Sequence, residues 1–228
     1  MFPEAEIAIT AKAWAWFKEV CCCIPPRAPD DGHGPFVPTP LRDRSAGATK
    51  PQRREAVITV VPAQQAAAEI RTLRDLIQHS AMAGSDQGRL SDARMGDTRY
   101  VFDSMLELVN KRYPADLYAL ASGGVSAGLM YVEEDMGAIE VLFMVAHPGS
   151  PGTGTALLEK AVGLSMEAGL GGVVRVNART AAVPLYEKAG FIPESVSSSS
   201  TKMALDPAAT GSGWELVGGS WRRSATAG

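Results

Sequence analysis

The spacing of apolar and polar positions splits the chain into an unpatterned first quarter and a remainder with clear periods. Ala56 to Val61 (A-V-I-T-V-V) is short and β-branched and predicts a strand. Ala66 to His79 places Ile70, Leu73, Leu76 and Ile77 at helical spacing. Asp97 suits the cap of a second helix carrying Val101, Phe102, Met105, Leu106 and Val109, which Pro114 ends. Leu117–Ser122, the Gly123-Gly124 turn and Val125–Glu133 predict a hairpin. Ile139 to Ala146 is apolar almost throughout and reads as a strand buried on both faces.

Further along, Ala156–Ala168 predicts a helix, Val173–Asn177 a strand and Ala181–Lys188 a short helix ended near Gly190. Two strands follow, Phe191–Val196 and Lys202–Leu205. The expected fold class is α+β, a mixed and mostly antiparallel central sheet with helices on both faces. Residues 24–55 are rich in proline, glycine and charge and predict a linker. Ahead of it, Ile7, Trp14, Phe17 and Val20 suit one face of a short helix. The expected division is 1–55 as extension and linker, 56–206 as the domain and 207–228 as a C-terminal tail on which Trp214 and Trp221 could dock.

Composition narrows the field without naming a function. The chain has 228 residues, 46% hydrophobic and 21% charged, enough to bury a core. A formal net charge of -3 gives no general pull toward nucleic acid. No apolar run reaches the ~20 residues of a membrane-spanning helix, and no basic-then-apolar leader opens the chain. The three cysteines, Cys21, Cys22 and Cys23, are adjacent, so neither a disulfide framework nor a metal site is expected. A cytoplasmic location follows as the expectation, with export that needs no cleavable signal left open.

The break between strand and helix is where chemistry is expected. It reads V-A-H-P-G-S-P-G-T-G-T from Val145 to Thr155. Backbone N–H groups at a helix start are unpaired and carry partial positive charge, so glycines there admit an anion. The loop lacks the G-K-[ST] of a nucleoside triphosphate site and the spacing of a dinucleotide fingerprint. Alone, it suits a pyrophosphate cradle and a plain turn about equally.

A second motif follows a helix and a strand later: A-R-T-A-A-V-P-L-Y-E-K-A-G-F, from Ala178 to Phe191. The pair, in this order, resembles the GNAT superfamily of acyl-CoA-dependent N-acetyltransferases, over about residues 56–206. The resemblance implies acetyl-CoA as cosubstrate, no metal, and a primary amine acceptor, small molecule or protein, attacking directly in a ternary complex. It implies that Phe143, Met144 and Val145 present backbone to the pantetheine arm, with a backbone N–H at or near Val145 for the oxyanion. Gly149, Gly152, Thr153, Gly154 and Thr155 would hold the pyrophosphate, and Arg179 would approach a phosphate. Tyr186 would protonate the leaving thiolate, and Glu140, opening the buried strand, would be the general base.

For each residue a plainer reading stands beside this one. Tyr186 could be a core residue beside Leu185, Glu140 an exposed strand-start carboxylate, and Glu133, Glu134 and Asp135 solvated turn residues. The sequence departs from the family where Gly149 replaces the usual Gln or Arg, in a loop about two residues short, and where Arg179 replaces an asparagine, with Asn177 two residues earlier. A non-catalytic CoA-binding or partner-binding module and a secreted effector acetyltransferase remain as alternatives.

Overall fold

The computed structural model describes residues 56–82 and 92–224. The segment around Ile7–Val20, the cysteines and the linker lie outside them. Strand β1 (Ala56–Val60) leads into helices α1 (Ala63–Met82) and α2 (Asp92–Asn110). A meander follows: β2 (Asp116–Ser122), β3 (Val125–Asp135) and β4 (Ala138–Ala146). Then come α3 (Thr153–Glu167), β5 (Val174–Arg179), a short 3-10 turn, α4 (Val183–Lys188), β6 (Ile192–Val196) and β7 (Ser200–Leu205). Strands β8 (Trp214–Val217) and β9 (Ser220–Arg223) close the described chain as a separate hairpin.

Seven strands form one sheet in the order β1-β2-β3-β4-β5-β7-β6. Every neighbouring pair is antiparallel except β4 and β5. Alternation along the strands gives the sheet two apolar faces. On one, Ile70, Leu73 and Ile77 of α1 and Val101, Phe102 and Met105 of α2 pack against Leu117, Leu129, Tyr131, Phe143 and Val145. On the other, Leu157, Leu158, Ala161 and Val162 of α3 meet Met130, Val141, Met144, Val176 and Met203. The α+β sheet with helices on both faces is therefore as the apolar periods predict.

Two local readings are corrected. Helix α2 begins at Asp92, so Asp97 lies inside it and does not cap it. Glu133, Glu134 and Asp135 belong to β3, paired with Glu140, Ile139 and Ala138, and the turn is Met136-Gly137. Residues 207–224, on which Trp214 and Trp221 are expected to dock, pack against the domain. Trp214 is 8% exposed, and its indole N–H donates to the Ala189 carbonyl at 2.8 Å. Glu159 of α3 accepts from the Arg222 guanidinium at 2.8 Å and from the Arg223 backbone N–H at 3.1 Å. The Arg223 guanidinium donates in turn to the carbonyls of Ser212, Gly213 and Lys188. The hairpin thus fastens the end of α4 to α3.

Gly190 makes that junction possible. Its φ is +95°, and a Cβ there would stand 2.2 Å from the Ser212 carbonyl oxygen. Both effects oppose any side chain. Gly163, inside α3, has open space around a built Cβ. Gly190→Ala is expected to lower unfolding free energy by about 2–4 kcal/mol, and Gly163→Ala to raise it by about 0.5–1 kcal/mol. Urea unfolding of the two variants against the parent checks both signs.

Candidate active site

Strands β4 and β5 pair only at Ile139↔Val174, Glu140↔Arg175 and Val141↔Val176. Both strands continue, β4 to Ala146 and β5 to Arg179, so beyond these pairs the sheet has a gap. The cause lies in the β3–β4 register. Tyr131 faces Phe143 and Val132 faces Val141, leaving Leu142 as an extra residue. Such a bulge bends its strand and adds twist. From Leu142 onward β4 keeps its ladder to β3 and presents its other backbone edge to the gap. Phe143, Met144 and Val145 are fixed there by side chains buried on alternate faces, each at most 2% exposed.

At the end of that gap the chain turns into α3. Gly152 takes the left-handed conformation, φ 85°, and no side chain caps the helix. Within the described residues the first intrahelical bond runs from Ala156 N–H to the Gly152 carbonyl at 3.0 Å. The N–H groups of Gly154 and Thr155 precede it in the first turn and are placed to receive an anion. Thr153 has a different job. It is 5% exposed, and its methyl group lies so close to β3 that a Cβ at Gly128 would stand 2.5 Å away. Its side chain seats the helix on the sheet, and its N–H turns back to the Ser150 carbonyl at 3.3 Å.

Gly149 is held by His147, whose place beside the loop suits by sequence either the site or the surface. His147 Nδ1 accepts the Gly149 N–H at 3.1 Å, which leaves the ring proton on Nε2. Nε2 then donates to Ser80 Oγ at 3.0 Å, and the Ser80 hydroxyl donates to the Leu76 carbonyl at 2.9 Å. The imidazole therefore ties the loop to α1. Burial pushes its pKa below the ordinary value, against a smaller opposing effect from the Leu76 carbonyl. These groups border a pocket of about 560 Å³ whose described lining holds no other titratable side chain.

Arg179 is engaged across the gap. Its guanidinium pairs with Asp97 of α2 at 3.1 Å and lies over the Tyr100 ring, 5.2 Å from the centroid. Tyr186 is 0% exposed, on the α3 side of the sheet, with its ring edge-on to Phe191 at 5.2 Å. Glu140 is half-buried on the opposite face. It stands across from Glu133, which accepts the Tyr113 hydroxyl at 2.8 Å. Burial, then that carboxylate, raise the Tyr113 pKa, so the phenol stays protonated as donor. The fold brings the loop, the β4 edge and Arg179 to one end of the gap. Glu140 lies at the end where the strands still pair.

Among the described residues no cluster of metal-ligating side chains occurs, and no helix is long and apolar enough to cross a membrane. Residues 100–203 match the sequence model of the acetyltransferase (GNAT) domain. No curated protein matches the chain. Among solved structures, it is similar to PaiA N-acetyltransferase from Thermoplasma acidophilum, in complex with coenzyme A. The identity is 13%, covering 66% of this chain and 98% of that one, with a TM-score of 0.45. An acetyltransferase of the GNAT family from Streptococcus pneumoniae is 19% identical over 66% of this chain and 98% of its own, with a TM-score of 0.43. PseH N-acetyltransferase from Campylobacter jejuni, in complex with acetyl coenzyme A, is 12% identical over 66% and 99%, with a TM-score of 0.44. The match to the acetyltransferase (GNAT) domain, residues 100–203, spans the bulged strand, the uncapped helix start and the motif around Tyr186 in one continuous stretch.

Proposed function

We propose that this domain transfers an acetyl group from acetyl-CoA to a primary amine, with both substrates bound together. The observation that carries the reading is the gap between β4 and β5, which opens on an uncapped helix start. An open strand edge accepts an extended amide chain as an added strand would, which suits the pantetheine arm against Phe143–Val145. The N–H groups of Gly154 and Thr155 suit the pyrophosphate. Gly152 shapes the turn, Thr153 supports it from behind, and Gly149 takes part once His147 yields its N–H. Arg179 reaches a phosphate by exchanging Asp97 for it.

In the transfer, the amine nitrogen attacks the thioester carbonyl carbon and the carbon–oxygen π bond opens to an oxyanion. A backbone N–H of β4, at or near Val145, stabilises that charge. Glu140 accepts the proton the amine loses, directly or through water. The C–S bond then breaks, Tyr186 gives the leaving thiolate its proton, and the products are the N-acetyl amide and CoA. Tyr186 is buried, so it serves this role when the thioester enters the gap as far as α4.

Three measurements bear on this reading. Isothermal titration with acetyl-CoA is expected to show binding, and no heat at millimolar ligand would sink the proposal. Gly154→Glu places a carboxylate where it favours the helix but repels phosphate, so at least about tenfold weaker acetyl-CoA binding is expected on a retained fold. Tyr186→Phe and Glu140→Gln should each lower thiol release by about 100-fold or more, with acetyl-CoA affinity kept. Tight binding without turnover over a broad amine panel, unchanged in Tyr186→Phe, would instead favour a non-catalytic module.

His147 adds a stability signature. The unfolded residue titrates near ~6.5, and the folded one below that. As pH falls past the unfolded value, the unfolded chain takes up a proton that the folded chain refuses. The contribution is fully present above about pH 6.5 and drains away below it. The urea midpoint should drop between pH 7.5 and 5.5 in the parent, and drop less in His147→Gln.

A further inference from the structure

On the face of the sheet that carries Glu140, α1 and α2 pack chiefly over β2, β3 and β4, and reach β5 at Arg179. Toward the other end of β5, away from α2, a pocket of about 260 Å³ is lined by Glu140, Asn177, Lys202, Arg175, Glu194 and Asp135. Register explains the grouping. Glu140 stands opposite Arg175 on β5, and Asn177, two residues on, stands opposite Lys202 on β7. Alternate residues of one strand share a face, so four polar side chains converge where the flanking Val141, Val176 and Met203 turn to the core.

Asn177 is the unexplained member. It is 7% exposed, yet its side-chain oxygen has no hydrogen-bond partner among the described residues. Buried polar atoms nearly always have one, so this acceptor is placed for a donor that arrives with a ligand. Arg175 is already engaged, with Glu194 at 3.8 Å and the Met136 carbonyl at 3.2 Å. Lys202 is exposed and makes no ion pair among the described residues. Glu140 and Asp135 stand at the β3–β4 side of the pocket and Lys202 on β7. The two sides stand about two strand spacings apart, ~10 Å at the backbone. A zwitterion offers an opposite charge to each side, and a lone ammonium to one only.

We infer that the acceptor is a free α-amino acid, its amine held by the Asn177 side-chain oxygen beside Glu140 and its carboxylate by Lys202. This rests on the N-acetyltransferase reading and names the substrate class of that site. The carboxylate also explains the pocket's cation. Lys202 would repel a simple alkylammonium, whereas a zwitterion sets a negative charge against it. Asn177 selects for N–H donors without adding charge, and it leaves Glu140 to take the proton.

The test compares matched acceptors on the full chain, L-alanine with ethylamine and L-serine with ethanolamine, by acetyl-CoA-dependent thiol release. Each amino acid is expected to exceed its amine in kcat/KM by at least tenfold. Lys202→Ala should collapse that ratio to within about twofold of unity. Asn177→Leu should raise the KM for amino acids at least tenfold while raising Tm, since it removes a buried unpartnered oxygen. A purely structural asparagine would not give this opposed pair of effects. Acetyl-CoA titration of every variant separates the two readings. If acetyl-CoA fails to bind the parent, the acetyltransferase reading falls. If it binds, the amino-acid inference alone is overturned by equal use of amine and amino acid, by a ratio untouched in Lys202→Ala, or by no turnover of either class.

Discussion

Parallel strands β4 and β5 share three residue pairs and then part, and the arrangement around them depends on that ending. A sheet interior normally satisfies every backbone group through its neighbours. Here the extra residue, Leu142, turns β4 while its ladder to β3 stays intact. One backbone edge is left without a strand partner inside an otherwise closed seven-stranded sheet. Apolar packing holds the exposed edge rigid, because Phe143 and Val145 are locked under α1 and α2 while Met144 is locked under α3. The gap is thus a feature of register, maintained by two separate cores, and needs no loop to keep it open.

Helix α3 has to be held at the mouth of this gap, and the fixings come from three directions. Thr153 pins its first turn to β3, and Ser165 donates to the Val173 carbonyl at 2.8 Å near its end. On the outer face Glu159 receives two donors from the C-terminal hairpin. The same hairpin reaches α4 through Trp214 and Arg223. Exposed ion pairs contribute little singly, but here they accompany a buried indole and a backbone close contact at Gly190. The helix that offers its N-terminus and the helix that carries Tyr186 are therefore fixed to each other from outside the sheet.

How much of this is legible in the sequence follows from how local each signal is. The helices of the first half and the buried strand are plain because Ile70, Leu73 and Ile77, or Ile139 to Val145, repeat an apolar period over many residues. Residues 207–224 have no such period, since two four-residue strands bury little beyond Trp214 and part of Trp221. A turn signal was nevertheless present, Val217-Gly218-Gly219-Ser220 between two Trp-containing runs. Asp97 reads as a cap because it precedes an apolar pattern, but its partner is Arg179, more than eighty positions away in a different layer. His147 likewise acquires its role from Ser80. The bulge at Leu142 leaves no mark at all, being a mismatch between two strands and not a property of either.

The charges along the gap fall into an order that neither motif announces. At one end the start of α3 carries unpaired N–H groups and the positive pole of a 15-residue helix. At the other, Glu133, Glu140 and Asp135 gather where β3, β4 and β5 still pair, with the Tyr113 phenol holding one of them. A field of this sign sorts the two ligands of an acyl transfer before any specific contact forms. Under the proposed acetyl transfer, the polyanionic end of a CoA ester would be drawn to the helix and an amine acceptor to the carboxylates. Their reactive groups would then be led toward each other along β4. On this view Lys202 is the exception that informs, because a cation set beside an acidic pole weakens its pull on simple amines and only an acceptor carrying its own anion recovers it.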